Sequence, residues 1–428
     1  MKDSFSIALI GLGNRGKDTY LPEFLKCGDR VRVTAIAEPV DERREEVARR
    51  LQLPPERCFR TGEELLAGPR LADAACIATM DRQHVPQAVP ALEKGYDLLL
   101  EKPVSPSLEE CARLARTARR TGRRVVVCHV LRYTPFYRKV KELLEAGAAG
   151  TVMTIQAIEN VGYWHQAHSF VRGNWRNSRE SSPMILQKSC HDMDILTWLL
   201  GKRCKAVSSF GGTQLFKAAR APEGAALRCL DGCKAKENCP FDAEKIYITS
   251  PKTGRAMGDS WITSVLSVEN TVESTYKALR EGPYGRCVYH CDNDVVDHQQ
   301  TNLLMEDGST VSFTMCAFTE SCYRTFKAMG TRGEIEADML SNLIHVRVFG
   351  QPEEVIDVGK LAGDLKGHGG GDSGIIQDLL DMLRSGAEPN ERTTTLEHSM
   401  ESHFIALAAE ESRLHGGRVV ELEAFKNR

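Results

Sequence analysis

The run Gly11-Leu12-Gly13-Asn14-Arg15-Gly16, set directly behind the apolar stretch Ser6–Ile10, constrains this chain more than any other feature. Three glycines at this spacing, between a strand and a helix, form a loop suited to a dinucleotide pyrophosphate. Gly11 permits a tight turn, Gly13 lets the backbone approach the phosphates, and Gly16 lets helix and strand pack closely. The helix N-terminus adds amide donors and positive potential, with Asn14 and Arg15 in the same loop. Downstream, strand patterns at Val31–Ala37, Ala74–Ala78, Asp97–Leu100 and Arg124–Cys128 alternate with helical patterns at Asp41–Leu51, Val85–Lys94 and Leu108–Thr121. This βαβ series predicts a Rossmann domain over residues 1–130. Glu38 closes the second strand, where a carboxylate accepts hydrogen bonds from the adenosine ribose and repels a 2′-phosphate. That favours NAD; Arg43 and Arg44 nearby keep NADP as the less favoured cofactor.

The alternation stops near residue 130. A helix at Thr134–Ala146 leads into strand patterns at Val152–Asn160, Lys205–Phe210, Asp297–Met305 and Thr310–Phe318. Strands in succession predict an α+β domain over 131–428 with a large, mainly antiparallel open sheet. Between them, about 216–294 is polar, Gly- and Cys-rich and weakly periodic, as an insertion would be. Helical patterns at Gly374–Ser385 and Thr395–His415 are expected to pack back on the whole. The overall class is thus α/β, and a length of 428 residues agrees with two domains.

A formal charge of −2 gives no basic field for nucleic acid or an anionic membrane, so a small-molecule partner is expected. No apolar run approaches the ~18–20 residues needed to span a bilayer, and no signal-peptide pattern opens the chain. Most of the fourteen cysteines are scattered singly, as at Cys76, Cys128 and Cys316, which suits reduced thiols in a cytoplasmic compartment.

Glu101-Lys102-Pro103 follows the strand Asp97–Leu100; Ala78-Thr79 and His84 stand upstream. Arg132-Tyr133, Gly150-Thr151-Val152, His191-Asp192 and Gly330-Thr331-Arg332-Gly333 follow in order. This succession resembles the Gfo/Idh/MocA family of sugar oxidoreductases over nearly the whole chain. The resemblance implies NAD(P) on the first domain, with Thr79, His84 and Glu101 near it, and a sugar held between the domains, with Arg132 and Tyr133 beside it. A homodimer or homotetramer through the C-terminal sheet is the expected assembly.

A lysine at the carboxyl end of a parallel strand lies at the crevice where ligands bind, so the Lys102 ammonium can stabilise a developing alkoxide. His191, where the family places its catalytic histidine, suits removal of a hydroxyl proton. Better-known members often carry an Asp four residues earlier; here Gln187 stands there, followed by Lys188. Gln187 can orient a hydroxyl but takes no proton, and Lys188 can titrate or bind a substrate oxygen. Asp192 serves either substrate or the helix dipole.

Trp164, His165, His168, Arg172, Trp175 and Arg176 crowd together, mixing aromatic faces with forked donors as carbohydrate sites do. His298, in the second polar cluster Asp297-His298-Gln299, is a further candidate for the cleft. Asp372, after the glycines at 369–371, is read as a helix N-cap. Cys229, Cys233 and Cys239, with Cys287 or alternatively Cys291 as a fourth ligand, suggest structural zinc, although the spacing is not that of paired CxxC knuckles. Two activities are carried forward. One is NAD-dependent oxidation of a secondary hydroxyl of a sugar, polyol or sugar derivative. The other is a glycosidase that oxidises, eliminates, hydrates and re-reduces without net redox change.

Overall fold

The computed structural model describes residues 4–258, 260–361, 366–385 and 392–428. Six parallel strands form the first sheet: β1 Phe5–Ile10, β2 Val31–Ala37, β3 Cys58–Phe59, β4 Ala74–Ile77, β5 Asp97–Leu100 and β6 Val125–Val127. Their order is β3-β2-β1-β4-β5-β6, the doubly wound arrangement, whose ligand crevice lies outside the carboxyl ends of the strands. β1, β4 and β5 are buried on both faces, which explains why they read as continuous apolar runs.

The second sheet has nine strands: β7 Val152–Gly162, β8 Cys204–Gly212, β9 His298–Met305, β10 Thr310–Thr319, β11 Tyr323–Gly330, β12 Gly333–Asp338, β13 Leu343–Val348, β14 Glu354–Asp357 and β15 Val420–Glu421. The order is β14-β13-β12-β11-β7-β10-β9-β8-β15. Every pairing is antiparallel except β10 with β7. Alternate residues of β9 and β10 are buried, so one face of the sheet forms a core with helices Pro135–Glu145, Cys190–Leu200 and Leu396–Leu414.

The two final long helices also return to the first sheet. Ile375, Ile376, Leu379 and Leu380 join the cluster under β1 and β2, while Leu396 and Met400 join the cluster on its other face. Fully burying such a side chain contributes ~1.5–3 kcal/mol, so these helices are anchored strongly. Val127 N donates to Thr394 O at 2.8 Å, extending the edge of β6 with a distant piece of chain. The insertion has its own apolar cluster, built from Phe216, Phe241, Tyr247, Ile262, Leu279 and Tyr284 together with Trp164 and Val171.

Candidate active site

The glycine loop has the geometry its sequence demands. Gly11 has φ +90°, and a Cβ there would lie 2.5 Å from Ala78 O; a Cβ on Gly16 would lie 1.9 Å from Gly11 O. Gly13 is open, with no atom within 4 Å of where its Cβ would be, as close approach by a ligand requires. Glu38 is buried, and its carboxylate accepts from Leu12 N at 2.8 Å and Val40 N at 3.1 Å. It therefore orders the loop from the end of β2.

Arg15 turns inward, donating to Glu101 Oε1 at 2.6 Å, Tyr20 Oη at 2.5 Å and Asp372 Oδ1 at 2.8 Å. Asp372 lies inside the helix Lys366–Ser385, and the N-cap reading gives way to an ion pair with Arg15. Burial would raise the Glu101 carboxyl, but the Arg15 and Lys102 charges outweigh it and hold it below its ordinary value. Asn14 starts the following helical turn and reaches Asp18.

Lys102 leaves the end of β5, and the Lys102–Pro103 bond is cis. Its Nζ donates to Gln187 O at 2.7 Å, its sole hydrogen bond among the described residues. An ammonium has three donors, so Lys102 keeps capacity for a ligand. The backbone behind it is clamped from two sides: His84 Nδ1 lies 2.7 Å from Pro103 O, and Val104 N donates to His403 Nε2 at 2.7 Å. His84 Nε2 also reaches Thr79 O at 3.0 Å, and Thr79 Oγ1 donates to Gln87. His84 and Thr79 thus shape the strand ends.

The opposite wall is the helical turn Met184–Gln187 and the helix Cys190–Leu200, which carry Gln187, Lys188, His191 and Asp192. His191 is buried, its ring edge-on to that of His129 with centroids 5.5 Å apart. Lys188 Nζ lies 3.2 Å from Glu159 Oε1, and Arg324 bridges Glu159 at 2.7 Å and Asp192 at 2.7 Å. Burial pushes the Glu159 carboxyl up against the pull of Arg324 and Lys188. Asp192 is therefore committed to Arg324, beyond any role for the helix dipole.

Several residues expected beside a sugar have partners within the protein. Arg132 makes a buried two-pronged pair with Asp194, both contacts 2.7 Å, tying the end of β6 to the opposite helix. Tyr133 packs with the returning helix and donates to Asp378 at 2.9 Å. Trp164 and His168 belong to the core of the insertion. His168 lies 3.1 Å from Tyr247 Oη and stacks on Tyr284. Arg172, 0% exposed, donates to Arg286 O and Phe241 O, both at 2.7 Å. Most of that cluster thus packs within the protein, its partners coming from the distant insertion. Trp175 differs, donating through Nε1 to the buried Asp81 at 3.0 Å, beyond the end of β4. His298 is 43% exposed and pairs with Asp297.

Cys229, Cys233, Cys239 and Cys287 line one small cavity with Arg172, and none of the fourteen cysteines forms a disulfide. Among the described residues, however, no three His, Cys, Asp or Glu side chains converge to hold a metal ion, so the expected structural zinc is without support there. The guanidinium of Arg172 lies among these thiols and donates to Cys229 Sγ at 3.5 Å, and Lys236 and Asp242 line the same cavity. Cys291 Sγ bonds back to Cys287 O at 3.3 Å. Sequence reasoning missed Asp81, His129, Glu159 and Asp194, each hidden in an apolar or unremarkable local context.

A doubly wound parallel sheet with a glycine loop presents its strand ends to helices packed on the nine-stranded sheet, the architecture of a dinucleotide-binding protein. The model of the oxidoreductase family's NAD-binding Rossmann fold matches residues 5–129, and that of its C-terminal alpha/beta domain matches residues 141–422. The chain belongs to the Gfo/Idh/MocA oxidoreductase family.

YteT of Bacillus subtilis, a protein named as an oxidoreductase, is 25% identical over 324 residues, 72% of each chain. Inositol 2-dehydrogenase of Corynebacterium glutamicum is 27% identical over 208 residues, 48% of this chain and 57% of the relative. 2,7-anhydro-N-acetylneuraminate hydratase of Mediterraneibacter gnavus is 25% identical over 48% of this chain and 52% of its own. The chain thus spans little more than half the length of the latter two. Among solved structures, the WlbA dehydrogenase of Bordetella pertussis, in complex with NADH and UDP-GlcNAcA, superposes with a TM-score of 0.70 at 17% identity over 98% of both chains, a likeness of fold. No helix among the described residues is long and apolar enough to cross a membrane.

Proposed function

We propose that the protein uses NAD to take hydride from a secondary hydroxyl of a sugar, polyol or sugar derivative. One observation carries the reading: the Lys102 ammonium, clamped at the carboxyl end of β5, has unused donors and stands across from the helix of His191. Substrate oxygen would lie on Lys102, which stabilises alkoxide charge, while His191 takes the proton and hydride leaves for the nicotinamide. Glu38 favours NAD over NADP by its position at the end of β2. Gln187, Lys188 and Trp175 are the groups proposed to orient the substrate. The inositol 2-dehydrogenase among the relatives supports a polyol or sugar.

A second reading, oxidation followed by elimination, hydration and re-reduction, draws on Gln187 at the position of the customary acid and on the hydratase among the relatives. Purified protein incubated with sugars, polyols and aryl glycosides separates the two. Stoichiometric NADH supports the dehydrogenase; aglycone release without net NADH supports the second reading. Neither signal across the panel sinks both.

Assembly as a homodimer or homotetramer is proposed through the uncovered face of the nine-stranded sheet. There Ile158, Leu304 and Phe318 are exposed on adjacent strands. Light scattering that returns a monomer overturns it.

A further inference from the structure

His129 follows β6, at the carboxyl edge of the parallel sheet, and is 0% exposed. Neither ring nitrogen has a hydrogen-bond partner among the described residues. Its ring stands edge-on to His191 on one side and to His403 on the other, with centroids 5.5 Å apart in both cases. His403 is fully committed: Nε2 accepts from Val104 N, so Nδ1 carries the proton and donates to Ser399 O at 2.7 Å. The charged groups around His129 are Asp194 and Arg132, which pair with each other, and Lys102 and Glu101 at the end of β5. A neutral imidazole with an idle donor and an idle acceptor in a dry interior is costly, and such groups call for a role.

We propose that His129 is a positioning residue that accepts a hydrogen bond from His191 once His191 holds the substrate proton. Gln187 puts a neutral amide where the customary carboxylate would balance charge, and His129 is the buried lone pair beside the His191 ring. The soft ring torsion of either histidine brings N–H and lone pair into line. The proton moves from the substrate hydroxyl to His191 and stays there, while hydride leaves for NAD; His129 only accepts the hydrogen bond. The inference rests on His191 being the base of the proposed reaction.

The test uses the full chain with His129→Phe, which keeps the edge contacts and removes both nitrogens, and His129→Gln, which restores an acceptor. Histidine-selective NMR titration with NAD bound reads His191 independently of turnover. In His129→Phe the His191 titration is expected about one pH unit lower, because a bond to the charged form is lost, and His129→Gln recovers part of it. Steady-state kinetics should show kcat reduced about 10- to 100-fold with KM little changed, and the acidic limb of the pH profile moved the same way. An unchanged His191 titration in folded His129→Phe overturns the inference. If the titration shifts but wild-type protein oxidises no polyol or sugar, the proposed reaction fails while the histidine coupling stands.

Discussion

His129 and His168 are equally buried, yet they belong to different kinds of site. Burial pushes His168 down to about 3 and His129 to about 4, so both are neutral at pH 7. His168 reaches Tyr247 Oη and lies flat on Tyr284 inside the insertion core, whereas His129 has idle nitrogens against the His191 ring. The cations differ in place rather than in idle capacity. Arg172 gives Nε and Nη2 to backbone carbonyls and Cys229 Sγ while its Nη1 has no partner among the described residues, deep in the insertion core; Lys102 Nζ makes a single bond at the end of β5. Burial and residue type therefore do not separate the candidate site from scaffold; idle hydrogen-bonding capacity at the strand ends of the first sheet is the proposed distinction.

If that distinction holds, Lys102→Ala should lower kcat about a thousandfold, some 4 kcal/mol, with NAD affinity changed only a few-fold. Kinetics and NAD titration measure this, and retained turnover breaks the contrast at its strongest point. Arg172→Met should act on the other axis. It leaves Arg286 O and Phe241 O without their donor, and stability should fall by about 3 kcal/mol by denaturant titration. The kcat of the folded fraction should stay near wild type.

The next test is acid stability. Both histidines have folded values below the ordinary ~6.5, so the unfolded chain takes up protons on acidification before the folded chain does. Their contribution is complete above pH ~6.5 and is lost as pH falls from there to about 4 for His129 and about 3 for His168. His129→Phe and His168→Phe should each flatten the acid slope of stability by about one proton across its window. Only the first should also move the pH–rate profile. Identical kinetic effects from both would dissolve the distinction. The smallest expected effect is Glu38→Gln, which should narrow the preference for NAD over NADP about tenfold, roughly 1.4 kcal/mol, in cofactor titrations.

The first sheet was legible because its strands are apolar on both faces and the glycine loop pins the register of the whole unit. β3 escaped, with only two residues to pattern. β11 to β13 escaped because their uncovered face carries Lys327, Glu334, Glu336 and Arg347, whose ion pairs mask an alternation that burial makes plain. In the candidate site, Lys102 and His191 were legible as positions only, one just beyond a strand end and the other in the first turn of a helix. His129 was not: after three valines and a cysteine it reads as one more buried residue. The partners of Arg172 were not legible, because its acceptors include the carbonyl of Arg286, more than a hundred residues later.

The return of Ile375–Leu380, Thr394 and Leu396 to the first sheet bears on how the chain is made. Synthesis completes β1 to β6 early, yet the segments that cover their faces and extend their edge emerge only near the end. For most of translation the nucleotide-binding sheet is an unfinished surface of apolar side chains, so its folding is delayed rather than progressive. A nascent chain arrested after residue 130 should bind chaperones and resist folding, and release of the last sixty residues should be the event that closes the cofactor domain.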